Sequence, residues 1–149
     1  MRPPTQHELT DPKAAFYYAR DVIKGRWEQG EPIIATAPQW AYSYAISVIK
    51  ERFELGEATI ATVSVCAYWY ALYVINGRFE LGESIISTDG YFAYEYAKDF
   101  LILGIKIKID IVFFEQCFRN NTLTIDDLPK KLQDNEDIQL AYFKAKVIK

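Results

Sequence analysis

The stretch that decides the fold is Ala41-Tyr42-Ser43-Tyr44-Ala45-Ile46-Ser47-Val48-Ile49-Lys50-Glu51-Arg52-Phe53-Glu54-Leu55-Gly56-Glu57. Twenty-six residues further on, the same text returns as Ala67, Tyr70-Ala71, Val74-Ile75, Arg78-Phe79-Glu80-Leu81-Gly82-Glu83. Twenty-six residues earlier it stands as Ala15, Tyr18-Ala19, Val22-Ile23, Arg26-Trp27 and Gly30-Glu31. A fourth copy begins with Ala93, Tyr96-Ala97 and Phe100-Leu101. Ile34, Ile60 and Ile86 keep the same register, as do Thr10, Thr36, Thr62 and Thr88. Chance does not produce so many matches at one spacing. A fixed period of this length is the mark of a repeat architecture, in which each unit buries its apolar face only against its neighbours.

Within a unit the pattern is helical. Ala15, Tyr18, Ala19, Val22 and Ile23 recur at i, i+3, i+4, i+7 and i+8, the spacing of one buried stripe. Asp11-Pro12 after Thr10 is a helix start, with a capping oxygen and a proline in the first turn. Gly25 and Gly77 stand where a left-handed cap would end the long helix. Glu51 fills that place in the second copy, so its exit is expected to differ. A shorter helix then packs Trp27 and Ile34 inward, with Gly30 either capping it or lying within it. The alanine pairs let long helices approach closely, and the Tyr18 series is expected to fill the grooves beside them with hydroxyls at the rim. The predicted fold is all-α, a short α-solenoid of 26-residue helix pairs over residues 10–101. Residues 1–9 read as a flexible tail and 102–149 as a helical cap of the same domain.

The cap is less regular. Ile105 to Ile111 alternates apolar and polar residues, a strand signal, yet no second alternating segment is present to pair with it. A buried helix through Phe113, Phe114 and Phe118 is therefore expected. Asn120-Asn121 makes a turn, Leu128-Pro129 an interruption, and residues 134–149 a last amphipathic helix that looks like a worn copy of the repeat.

Composition narrows function. The 149 residues carry a net charge of −3, one histidine and two cysteines, and half of them are hydrophobic. That suits one domain with a core of its own. It offers no basic surplus for nucleic acid, and no apolar run of about 20 residues to span a bilayer. The start lacks the apolar stretch of a secretory signal, so the expected location is the cytoplasm. Cys66 and Cys117 are too few for a disulfide framework or a thiolate metal cage, and no cofactor or metal is expected. There is no Gly-rich phosphate loop, serine elbow or HExxH helix. The expectation is a protein that is not an enzyme.

The text Ala-Tyr-x-Tyr-Ala-x-x-Val-Ile-x-x-Arg-Phe-Glu-Leu-Gly-Glu at residues 41–57 resembles short tandem repeats in uncharacterised proteins of large DNA phages and viruses. The resemblance covers residues 10–101. Ala37 and Val63 depart from it where other copies have Asp11 and Asp89, which weakens two helix caps. It implies a small phage-encoded repeat protein acting in the host cytoplasm on a host or viral protein, and it carries no catalytic residue over.

Three sets of residues compete for function. Arg26, Arg52 and Arg78 with Glu31, Glu57 and Glu83 form a charge ladder, read here as structural ion pairing and helix-end compensation. The eleven tyrosines, with the arginines, suggest an alternative as a nucleic-acid-binding solenoid, but most of them recur on or beside the packing stripe. Asp126-Asp127 reads as a helix-start compensator and Cys66 as an apolar filler. The informative positions are those that differ between copies. On the third long helix Val65, Trp69, Leu72 and Tyr73 make an apolar outer face where the first copy has Lys13, Tyr17, Arg20 and Asp21, and the second has Gln39, Ser43, Ile46 and Ser47. Val65, Trp69, Leu72, Tyr73, Ile46 and Tyr17 are the candidate partner-binding residues, for a protein target or a homodimer. Cover by the C-terminal segment is the competing reading of that face.

Overall fold

The computed structural model describes residues 1–102 and 111–147. All regular structure among the described residues is helical. The chain divides into two compact units, Met1–Gly82 and Glu83–Lys149.

Each repeat is a long helix followed by a short one. The long helices are α1 (Pro12–Tyr17), α3 (Pro38–Tyr44), α5 (Ser64–Tyr70) and α7 (Gly90–Tyr96). Each runs on with π-type winding, over Tyr18–Ile23, Ala45–Ile49, Ala71–Ile75 and Ala97–Ile102. The short helices are α2 (Glu31–Ile34), α4 (Glu54–Ile60) and α6 (Glu80–Ile86). In the first unit α1 packs on α3, α3 on α5 and α2 on α4, the neighbour-to-neighbour stacking that the period predicts. Ala15, Ala19, Ala41, Ala45, Ala67 and Ala71 are all fully buried along these contacts. Trp27 and Ile34 point inward as expected, and so do Phe53, Ile60, Phe79 and Ile86.

The helix ends differ from the sequence expectation. The left-handed residues are Lys24, Lys50 and Asn76, at φ of 59°, 55° and 53°, not Gly25 and Gly77. The cause is the π winding. A wider turn brings the Lys24 and Gly25 N–H groups to the same Ala19 carbonyl, and the left-handed step falls one residue before the glycine. Glu51 therefore needs no special exit, because Lys50 has already made the turn. The same widening leaves Val22 and Ile23 only half-buried at the end of the stripe.

The starts follow the caps. Asp11 accepts from the Ala14 N–H at 2.7 Å, and Asp89 from Tyr91 and Phe92. Ala37 and Val63 make no side-chain cap. The threonines close the preceding short helix instead: Thr36 and Thr62 Oγ1 donate to the carbonyls of Ile33 and Thr59, each at 2.7 Å.

Ahead of α1, residues 6–10 form hydrogen-bonded turns. Glu8, at the register of Ile34, is buried and paired with Arg2. The Tyr18 hydroxyl donates to the Arg2 carbonyl at 2.5 Å. Pairing with Arg2 and bonds from Thr5 offset the cost of burying Glu8 and hold its carboxyl at about 2.

In the second unit α8 (Ile111–Arg119) carries Phe113, Phe114 and Phe118, all buried, as the sequence suggests. Phe113 meets Tyr96 at 5.4 Å between ring centroids, so α8 covers the fourth long helix. The Ile105–Ile111 alternation lies outside the described residues except for Ile111. Asn121 turns at φ 56°, and a 3-10 turn at Ile125–Asp127 and α9 (Lys130–Gln133) flank Leu128-Pro129. Asp127 closes a capping box with Thr124. The last helix, α10 (Glu136–Val147), packs on α8 through Ile138 and Ala141. It is not cleanly amphipathic, since Leu140, Phe143 and Val147 stand exposed.

Candidate interaction face

The repeated residues form an inward-facing bond network. Tyr44 places its ring on Phe53 of its own repeat, with centroids 5.1 Å apart. Its hydroxyl reaches back to the preceding repeat, accepting from the Trp27 N–H at 2.8 Å and donating to Glu31 at 3.1 Å. Tyr70 repeats this on Phe79, the Phe53 N–H and Glu57, and Tyr96 donates to Glu83 at 2.7 Å. Tyr44, Tyr70 and Tyr96 are fully buried, so their hydroxyls do not reach a rim and their rings offer no face to a base. Desolvation leads in raising the Tyr44 hydroxyl to about 12, and it pushes Tyr70 higher still.

The arginines close the outer side of this network. Arg52 grips Glu57 through two bonds of 2.8 Å, and Arg26 pairs with Glu31 at 2.8 Å and with Glu51 of the next repeat at 2.9 Å. Burial tends to raise the Glu57 carboxyl, but Arg52 and the Tyr70 hydroxyl outweigh it and hold it below the ordinary value. Arg78 lines a groove with Arg52, Glu57 and Phe79. The glycine before each glutamate makes room for a ring: a Cβ on Gly56 would stand 2.5 Å from the Phe53 ring and 2.9 Å from Ala41 Cβ.

With those residues spent on stacking, the variable face is what remains. Trp69 and Tyr73, one turn apart on the third long helix, stack with centroids 5.3 Å apart and planes 12° from parallel. Tyr73 is 57% exposed and Val65 37%, while Trp69 and Leu72 are half-buried. Ile46 is half-buried and Tyr17 is 37% exposed. The structure adds a residue that the copy comparison passed over. Trp40 packs on Phe16 and Tyr17, at 5.3 and 5.7 Å, with the Lys13 ammonium over its ring. Its register holds Ala14, Cys66 and Phe92 in the other copies, so two of the four do without an aromatic there.

Burial raises the thiols of Cys66 and Cys117, Cys117 to about 12, which leaves both poor nucleophiles. Among the described residues no group of three or more His, Cys, Asp or Glu gathers to hold a metal. No helix among them is long and apolar enough to cross a membrane. No family model, curated protein or solved structure was found to match the chain.

Proposed function

We propose that this chain is a non-enzymatic binding protein, a phage-encoded cytoplasmic factor that occupies or inhibits a host or viral protein, or assembles with itself. The observation that carries the reading is the Trp69–Tyr73 stack, with Tyr73 exposed, at positions where stacking requires no aromatic. Tyr17, Ser43 and Glu95 hold the Trp69 register elsewhere. Trp and Tyr are the residues most enriched where binding energy concentrates, and Val65, Leu72, Ile46 and Tyr17 extend the same side. Trp69→Glu should abolish association while leaving helix content and melting temperature nearly intact, because an unpaired carboxylate resists desolvation in an apolar contact. Light scattering and captured partners, read beside a thermal melt, test this. A variant that unfolds would place Trp69 in the core and sink the reading.

A further inference from the structure

The variable face is graded in charge as well as in polarity. Four cations, Lys13, Arg20, Lys24 and Lys50, lie on the outer positions of the first two long helices, against one carboxylate, Asp21. The chain as a whole is at −3. The exposed glutamates Glu28, Glu51, Glu54 and Glu80 sit elsewhere, on the segments leading into the short helices and in their first turns. Arg20 is held by Asp21, but Lys24 and Lys50 are exposed, and no ion pair reaches either among the described residues. With Arg20, Asp21 and Ser47 they line an open groove of about 430 Å³, in which the Arg20–Asp21 pair cancels and the two lysines leave a cationic surplus. The ends of adjacent long helices touch in sequence, first to second and second to third. Ser47 of the groove and Tyr73 hold the same register on adjacent helices, which sets the lysine groove of the first two beside the Trp69–Tyr73 stack of the third.

We propose that groove and stack together bind an acidic peptide segment whose apolar side chains anchor on Trp69, Leu72 and Tyr73 while its carboxylates lie over Lys24 and Lys50; this rests on the reading of the face as a protein-binding surface. Charge complementarity selects the occupant: a cationic groove continuous with an apolar anchor fits a segment that is acidic and apolar in turn. A phosphate backbone fits less well. The turn N–H groups of Lys24 and Gly25 are both taken by the Ala19 carbonyl, so the turn makes no anion nest.

The test pans a display library of random short peptides against the full chain, then titrates a synthetic enriched peptide by fluorescence anisotropy. Enriched peptides should carry Asp or Glu beside Trp, Phe or Leu. Their affinity should fall about tenfold in the Lys24→Gln/Lys50→Gln variant, weaken with rising salt, and vanish with Trp69→Glu. Both lysines are exposed, so a melt checks that the double variant folds. Peptides without acidic bias, or binding indifferent to the lysines, would overturn the acidic partner while leaving the apolar anchor standing. Self-association lost with Trp69→Glu and no enrichment would make a second copy the occupant. A mixed-sequence oligonucleotide whose binding depends on the lysines but not on Trp69 would replace peptide by nucleic acid. A monomer that enriches nothing would sink both readings.

Discussion

The Tyr70 hydroxyl joins two repeats with two bonds, one to the backbone N–H of Phe53 and one to the Glu57 carboxylate. Removing it leaves a buried N–H without a partner and takes one of the bonds that satisfy a partly buried charge. Tyr70→Phe should cost about 1–3 kcal/mol in urea denaturation, while Tyr91→Phe, at 64% exposure, should cost nothing measurable. Acid acts on the same node. The Glu57 carboxyl is held below its ordinary 4.5, so its stabilisation is complete above that value and drains away as pH falls through the lower folded value. Glu8, held at about 2, extends the loss in the same direction. Stability should therefore decline from about pH 4.5 downward, and Glu57→Gln should flatten that acid limb; an unchanged slope would show that the carboxylate is not coupled to folding. The sequence displayed this node without explaining it. Phe would serve for packing, yet Tyr stands in all four copies, always thirteen residues after the Glu where that Glu exists. A hydroxyl kept at fixed distance from a carboxylate is a signal of use, and the expectation of a rim-exposed hydroxyl overlooked it.

Elements were legible wherever side-chain periodicity sets them and illegible where backbone winding does. Alanine and tyrosine spacing gives the long helices, and Asp11 and Asp89 give their starts. The exits were misplaced by one residue because glycine is the usual left-handed residue and nothing in the side chains announces a π turn. The two kinds of glycine in the repeat consequently have opposite value. Gly25 has no positive φ, and a methyl group added to it would meet nothing within 4 Å, so Gly25→Ala should be neutral or stabilising by up to about 1 kcal/mol. Gly56 lies inside α4 beneath the Phe53 ring, with Ala41 on the other side, and cannot take a methyl without moving both. Gly56→Ala should cost about 1–3 kcal/mol by overpacking. Thermal melts of the two variants separate these assignments, and equal effects would mean that the ring does not lie on Gly56.

At the scale of the molecule, the repeat register predicts that the stack can be lengthened. The first three repeats meet one another through the same parts: an alanine pair, and a Tyr hydroxyl that reaches back to accept from a Phe or Trp N–H and donate to a Glu. A second copy of residues 37–62 inserted after Thr62 creates the junction Thr62–Ala37, equivalent to the native Thr36–Ala37, and keeps Thr62–Val63. The inserted Tyr44 would then find Phe53 and Glu57 of the repeat before it, as Tyr70 does now. One position needs adjusting. The inserted Trp40 would fall where Cys66 lies beside Tyr42, so that copy should carry Ala there, as the first repeat does at Ala14. In a stack governed by nearest-neighbour contacts, stability is a sum of repeat and interface contributions. The lengthened chain should fold with a larger helical signal, a steeper urea dependence in proportion to the added surface, and a midpoint no lower than the parent's. Inserting residues 37–56 alone, which leaves Glu57 and the rest of the short helix out of the added copy and so puts Tyr70 out of register with the repeat before it, should abolish cooperative unfolding. A lengthened chain that melts earlier than the parent would mean that contacts beyond adjacent repeats hold the stack together.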